Sequence, residues 1–348
     1  MSTLSNLVRA PWVRRAALPV ALVVLAVLPL MLPAFANQTL TRVGVYAVAI
    51  LGLNIIMGYT GQVMLGQIFF LGVGAYVTAY GVTHDWNVLL IFVAACVIPA
   101  VLGLIIALAA ARLGGLAIAM VTIALPIIGV PLAKRLSEFT GGSQGTSARF
   151  SSAPDWSGLY DDQWQYYIVV GIAVIAFLLA YNLVRGKYGR AMRVVKENEN
   201  VARSMGISPY RYKVMAFTIA SIFGGASGFL YMVAVQYTSP ETMAFHHSIN
   251  LLAAMVVGGA ASIAGSIIGG VYYVLVPQVT NAIDPTITAI SQGIILVAVL
   301  FVLPGGLVSL PRSIRKLAAR RRGGTANGDP SPGTASPSAE TAEVPRAK

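Results

Sequence analysis

The sequence predicts an all-α, polytopic membrane protein with about ten transmembrane helices, some of them broken or short, and with both termini in the cytoplasm. Three observations carry this prediction. Of 348 residues, 57% are hydrophobic and 10% charged, and the mean hydropathy is +0.75. A soluble domain carries about 25% charged residues, so this chain has too few to cover a surface facing water. Uncharged apolar runs follow one another with short gaps, and Lys and Arg gather between them.

A helix needs roughly 17–25 apolar residues to cross a bilayer. That length places crossings near 16–34, 40–57, 63–82, 88–111, 113–133, 165–184 and 213–236. The stretch from Ile249 to Gln278 is too long for one crossing and is interrupted by Gly258-Gly259, Ala260-Ala261-Ser262, Gly265 and Gly269-Gly270. It divides into a short 249–262 segment and a 263–280 segment, and a last crossing covers 286–304. Charge tests the division, because positive residues mark the cytoplasmic side. Residues 185–213 carry eight Lys and Arg, and residues 312–322 carry six more. An even number of crossings must separate two cytoplasmic segments; the division gives four and the undivided stretch three.

The resulting topology places a cytoplasmic segment at 1–15, a transmembrane domain at 16–311 with a cytoplasmic loop at 185–213, and a cytoplasmic tail at 312–348. Arg9, Arg14, Arg15 and Arg112 fall inside; of the 24 Lys and Arg, only Arg42, Lys134, Arg135 and Arg149 fall outside. Asp155, Asp161 and Asp162 lie outside too, although acids carry little orienting weight. Arg14-Arg15, an apolar run and Ala34-Phe35-Ala36 also resemble a secretory signal with its cleavage site. The run is long for a signal, and the reading adopted is an uncleaved first helix. Beyond its basic start the tail is rich in Gly, Ser, Thr, Pro and Ala without apolar periodicity, which predicts disorder over 323–348.

Composition excludes several functions. A net charge of +12 in a soluble protein would point to nucleic acid, but here the basic residues orient membrane spans. The lone Cys96 allows neither an internal disulfide nor a cysteine metal site and reads as a small apolar filler. His246-His247 has no Cys or carboxylate cluster beside it, so no metal site is expected. Away from their ends the crossings hold no Asp, Glu, Lys, Arg or His; Asp85, Glu241, Asp284, His84, His246 and His247 are assigned to short connections. Proton-driven carriers commonly need intramembrane ionisable relays, so energy is expected from outside the membrane. It does not come from this chain: a phosphate loop needs G-x-x-x-x-G-K-[S/T]. The nearest approach, Gly186-Lys187, has Tyr181 and Tyr188 at the other required positions. No hydrolytic or transferase site is visible, and no cofactor is expected.

The basic segment from Gly189 to Gly206 is the other distinctive element. Val194, Asn198, Val201 and Met205 recur at three- and four-residue spacing, as on one side of a short helix that Gly206 ends and Pro209 keeps from continuing. From pattern alone, a helix lying on anionic lipid is an equal reading. Upstream, Gly58, Gly61, Gly66, Gly72 and Gly74 allow a broken or closely packed helix pair. Asn54, Tyr59, Thr60, Gln62 and Gln67 near that break are candidates to line a translocation path, against the plainer alternative of interhelical hydrogen bonds. Gly224-x-x-x-Gly228 and Gly265-x-x-x-Gly269 have the spacing of close helix contacts, within the subunit or with a second one.

Gly189-Arg190-Ala191 through Glu197-Asn198-Glu199, then Ala202 and Gly206-Ile207, resembles the coupling segment of branched-chain amino acid ABC permeases, the LivM-like subunit. Asn54-Ile-Ile-Met-Gly58-Tyr-Thr-Gly61-Gln62-Val-Met-Leu-Gly66-Gln67 is similar to that family's N-L-x-x-G-Y-x-G-Q-x-S-L-G-H stretch, and Thr140-Gly141-Gly142-Ser143-Gln144-Gly145 to its T-G-G-[S/A]-x-G loop. Ser239-Pro240-Glu241 and Val257-Gly258-Gly259 match later landmarks, and the resemblance runs in order from about residue 40 to 310. It implies a binding-protein-dependent importer with a second homologous permease, two ATPases and an extracytoplasmic solute-binding protein. It also implies that Arg190, Arg193, Glu197, Glu199, Ala202 and Gly206 lie where the ATPase seats. Branched-chain amino acids are the expected solute. Met64, Gln67 and Thr146 depart from the family pattern, so urea, short amides, aromatic or carboxylic acids stay open as solutes. A carrier or channel not driven by ATP is the rival class.

Overall fold

The computed structural model describes residues 25–112, 115–154, 158–283, 293 and 306–309. The segment 1–15, most of the 16–34 and 286–304 crossings, Asp155, Asp284 and the 312–348 tail lie outside these residues. The unit containing the transmembrane domain is Met1–Ser309.

A helical stretch at 25–31 is followed at Pro33 by α1 (Ala34–Leu53), which continues as a π turn, Asn54–Thr60. Then come α2 (Gln67–Thr83), α3 (Val88–Ala110), α4 (Gly115–Arg135) and α5 (Asp161–Arg185). Two short helices, α6 (Lys187–Glu197) and α7 (Glu199–Ser204), lead to α8 (Pro209–Val235), α9 (Phe245–Gly258) and α10 (Ile263–Ile283). Six of these helical stretches are long and apolar enough to cross a membrane, and α2 and α9 are shorter apolar helices. The all-helical expectation holds apart from a two-residue antiparallel pairing of β1 (Thr146–Ser147) with β2 (Tyr237–Thr238).

Several boundaries differ from the sequence reading. The second crossing begins at Ala34, where Pro33 sets the entry, rather than at residue 40. The third is not a full span: residues 61–66 are non-helical, and α2 starts at Gln67. Its 17 residues give about 25 Å of helix. Division of the 249–280 stretch agrees with the structure, which interrupts the helix after Gly258 with Gly259 at φ 119° and Ala261 at φ 59°. His246 and His247 belong to the first turn of α9, not to a connection, and Arg42 and Lys213 sit inside α1 and α8.

Helix α8 is the central post and packs on α1, α2 and α3, while α1 also contacts α5 and α10. Glycines make those contacts close: a Cβ at Gly225 would meet Ala95 O and Pro99 of α3, and one at Gly228 would meet Leu71 O and Ala75 N of α2. Gly265 and Gly269 face Gly258, Gly259 and Ala254 in the same way, so both spaced glycine pairs are spent inside this chain. On the outer side α3 exposes Leu89, Leu90, Val93, Val97, Val101, Leu104 and Ile105. A stripe of that kind would be an association hazard in water and suits hydrocarbon.

Contacts sort the connections into two ends. Asn37 Nδ2 donates to Asp162 Oδ2 at 2.8 Å, and Lys134 pairs with Glu241 at 3.0 Å. These bonds gather the starts of α1, α5 and α9, the end of α4 and the β pairing. The opposite end collects the π turn, the 259–262 break, α6 and α7. At the first end the Thr140–Gly145 loop is a compact turn. Gly141, Gly142 and Gly145 all have positive φ, and Thr140 Oγ1 donates to Ala133 O at 2.6 Å.

Candidate functional site

At the basic end, two helix breaks meet. Single π turns inside α-helices recur at functional positions because they leave backbone groups available to partners. Here the partner is the 259–262 break. Asn54, 1% exposed, accepts from Ala261 N at 2.8 Å and donates to Ser262 O at 3.0 Å and Ser266 Oγ at 2.9 Å. Tyr59 Oη donates to Ala261 O at 2.8 Å. A Cβ at Gly58 would lie 2.6 Å from Ala261 N, so the two backbones touch. One side chain thus satisfies the groups that an interrupted helix leaves unpaired.

The helical arm α6–α7 seats on this junction. Ala191, Met192 and Val195 are buried against the bundle, which fixes the inner face of α6. From that face Lys196 Nζ donates to Gly58 O at 2.8 Å, and the Arg193 guanidinium lies 5.4 Å from the Tyr59 ring centroid. The predicted continuous helical side through Val194, Asn198, Val201 and Met205 is not formed. Asn198 is extended (φ −160°, ψ 117°) and its Oδ1 accepts from Asn200 N at 2.9 Å and Val201 N at 3.3 Å, capping α7. The chain therefore bends there, because an N-cap side chain competes with helix continuation. Glu199 pairs with Lys213 of α8 and lies 3.9 Å from Arg203. Ala202 is fully buried, and Gly206 ends α7 at φ 76° before Pro209 opens α8. Arg190 and Glu197 are exposed, as are Val201 and Met205.

The path candidates separate. Asn54 and Tyr59 hold the junction. Thr60 Oγ1 donates to Ile56 O at 2.6 Å within its own turn. Gln67 Nε2, at the start of α2, donates to Ala49 O at 3.2 Å and Ala220 O at 3.0 Å, which ties α1 to α8. Gln62 Nε2 and Gln67 Oε1 are buried with no partner among the described residues. Met64 is fully buried. Lys196 was missed in the sequence reading, and no signal marks it among eight basic residues, since its acceptor is a backbone carbonyl 138 positions away. No group of three His, Cys, Asp or Glu side chains able to hold a metal occurs among the described residues.

The arm is bonded to the π turn, and the π turn in turn to the 259–262 break, so displacement at the arm's outer surface has a bonded route to the interior of the bundle. A family profile described as the permease component of the branched-chain amino acid transport system matches residues 35–303. The high-affinity branched-chain amino acid transport system permease protein LivM of Escherichia coli (strain K12) is 30% identical over 339 residues, covering 89% of this chain and 78% of that protein. Its counterpart in Salmonella typhimurium is 28% identical, with 85% and 76% covered. A nucleoside ABC transporter permease protein, NupC of Lactococcus lactis, is 34% identical over 86 residues, 24% of this chain and 27% of its own. No solved structure matches. The chain belongs to the branched-chain amino acid transport permease family, as a non-enzymatic, multi-pass subunit of the cytoplasmic membrane.

Proposed function

We propose that this chain is the LivM-like half of a binding-protein-dependent importer that moves a small amino-acid-like solute into the cytoplasm, branched-chain amino acids first. One observation carries the reading: Lys196 and Arg193 bind the α6–α7 arm to the π turn, which Asn54 and Tyr59 in turn bind to the 259–262 break. An ATPase seated on the exposed Val201 and Met205 would thereby act on both interrupted helices at once. The partners are a second homologous permease, two ATPases and an extracytoplasmic binding protein. Gln62 Nε2, buried with no partner among the described residues, supports a path beside the π turn. The family departures at Met64 and Gln67 are absorbed in packing, which removes their argument against a branched-chain solute.

Charge orients the assembly. The end holding α6 and α7 also carries most of the 185–213 basic residues and belongs in the cytoplasm, as do both termini in the ten-crossing reading. Ser143→Cys and Glu241→Cys are therefore expected to react with an impermeant maleimide added outside whole cells, and Asn198→Cys only after lysis. Outside labelling at position 198 would reverse the topology.

The functional test is uptake of radiolabelled leucine by the reconstituted full assembly. With ATP and binding protein present, Lys196→Met combined with Arg193→Leu is expected to lower uptake at least tenfold while ATP hydrolysis continues. Uptake by the unaltered assembly without ATP or binding protein would favour the carrier class. Undiminished uptake in the double variant would leave α6 as a surface helix.

A further inference from the structure

At the end opposite the arm, a cavity of about 880 Å³ opens between α1, α8, α9 and α10. Arg42 lines it from well inside α1, although guanidinium groups are costly within membrane helices and persist there chiefly where they face water or a partner. No carboxylate pairs with Arg42 among the described residues, and none of the described residues lining the cavity is Asp or Glu. Among the described residues, the Arg42 charge at this cavity wall therefore has no paired carboxylate.

The wall beside it is held rigid. Tyr46 and Tyr273 meet in a tilted ring pair with centroids 4.1 Å apart and planes 35° apart, and Tyr273 Oη bonds His247 Nδ1 at 3.1 Å. Tyr231 completes this face, which also backs a smaller cavity of about 190 Å³. Ile249, Ala253 and Val274 supply apolar surface to the larger space, and Asn250 and Gln278 supply uncharged amides.

We infer that this cavity is a carboxylate-binding way station in which Arg42 takes the carboxylate of an amino-acid-sized solute before it enters the bundle. The inference rests on the importer reading above and adds to it a site and a solute class. Guanidinium matches a carboxylate bidentately, with two parallel hydrogen bonds. Tyrosine faces attract an ammonium, Glu241 lines the smaller cavity behind them, and the aliphatic patch receives an apolar side chain. Urea and short amides would leave Arg42 unpaired, so the cavity selects against them. A permanent anionic lipid headgroup would use the same guanidinium, and the experiment separates the two.

Phenylglyoxal modification of Arg42, read site by site by mass spectrometry in the full assembly in nanodiscs, reports the site directly. Leucine and 4-methylpentanoate at millimolar concentration are expected to protect Arg42 at least threefold, and leucinamide and acetamide not at all, in neutral as in anionic lipid. Equal protection by leucinamide would overturn the assignment, as would protection conferred by anionic lipid alone. In uptake, Arg42→Gln is expected to lose at least tenfold and Arg42→Lys to keep at least a third of the rate. Wild-type uptake in Arg42→Gln overturns the site and leaves the importer reading standing. Carboxylate protection in an assembly that imports no leucine keeps the site and removes the importer reading.

Discussion

Gly225→Val is expected to destabilise the bundle by about 3 kcal/mol, the upper end of the overpacking range, while Gly171→Val leaves it unchanged. Both glycines lie in membrane helices, so propensity does not distinguish them. Space does. Around Gly171 nothing lies within 4 Å of an added Cβ. At Gly225 the added carbon would meet the Ala95 carbonyl and the Pro99 ring, and Gly74 approaches the same residue from the other side. These are backbone and closed proline-ring atoms of packed helices, which cannot rotate away as a flexible side chain would, so α2, α3 and α8 must separate. Thermal denaturation of the two variants in the detergent-solubilised assembly gives the comparison. Equal loss at both positions would mean that the three-helix seam does not hold the fold.

Asn54→Leu is the second large effect, with an expected cost of at least about 3 kcal/mol and a loss of uptake exceeding tenfold. The leucine fills similar volume but strands Ala261 N–H, the Ser262 carbonyl and the Ser266 hydroxyl. An unsatisfied buried polar group costs roughly 1–3 kcal/mol, and the site is 1% exposed, so water does not replace the lost partners. Asn54→Asp keeps the acceptor toward Ala261 N and removes the donors, so it should retain part of the stability. Limited proteolysis at 259–262 reads the loosening directly. Protection equal to wild type in Asn54→Leu would show that the break holds itself.

The sequence by itself determined the class, the membrane and the family. Apolar runs of spanning length, a low charged fraction and the segregation of Lys and Arg are additive properties, readable without knowing what touches what. The glycine-rich run marked where the 249–280 stretch divides and parity of charge favoured dividing it; the structure interrupts the helix after Gly258. What local pattern left undecided is where polar side chains spend their hydrogen bonds. Asn54, Tyr59 and Gln67 looked alike as polar residues beside glycines. The tertiary structure gives the first two to a break more than 200 positions away and the third to α1 and α8. The bend at Asn198 escaped periodicity because spacing cannot tell a helical asparagine from an N-cap. Charge placed Arg42 only on the outer side, near the start of the 40–57 crossing, and packing shows it inside α1 at a cavity wall. In hydrocarbon each polar group must find a partner within the protein, and that partner is chosen by the fold, not by the neighbouring residues.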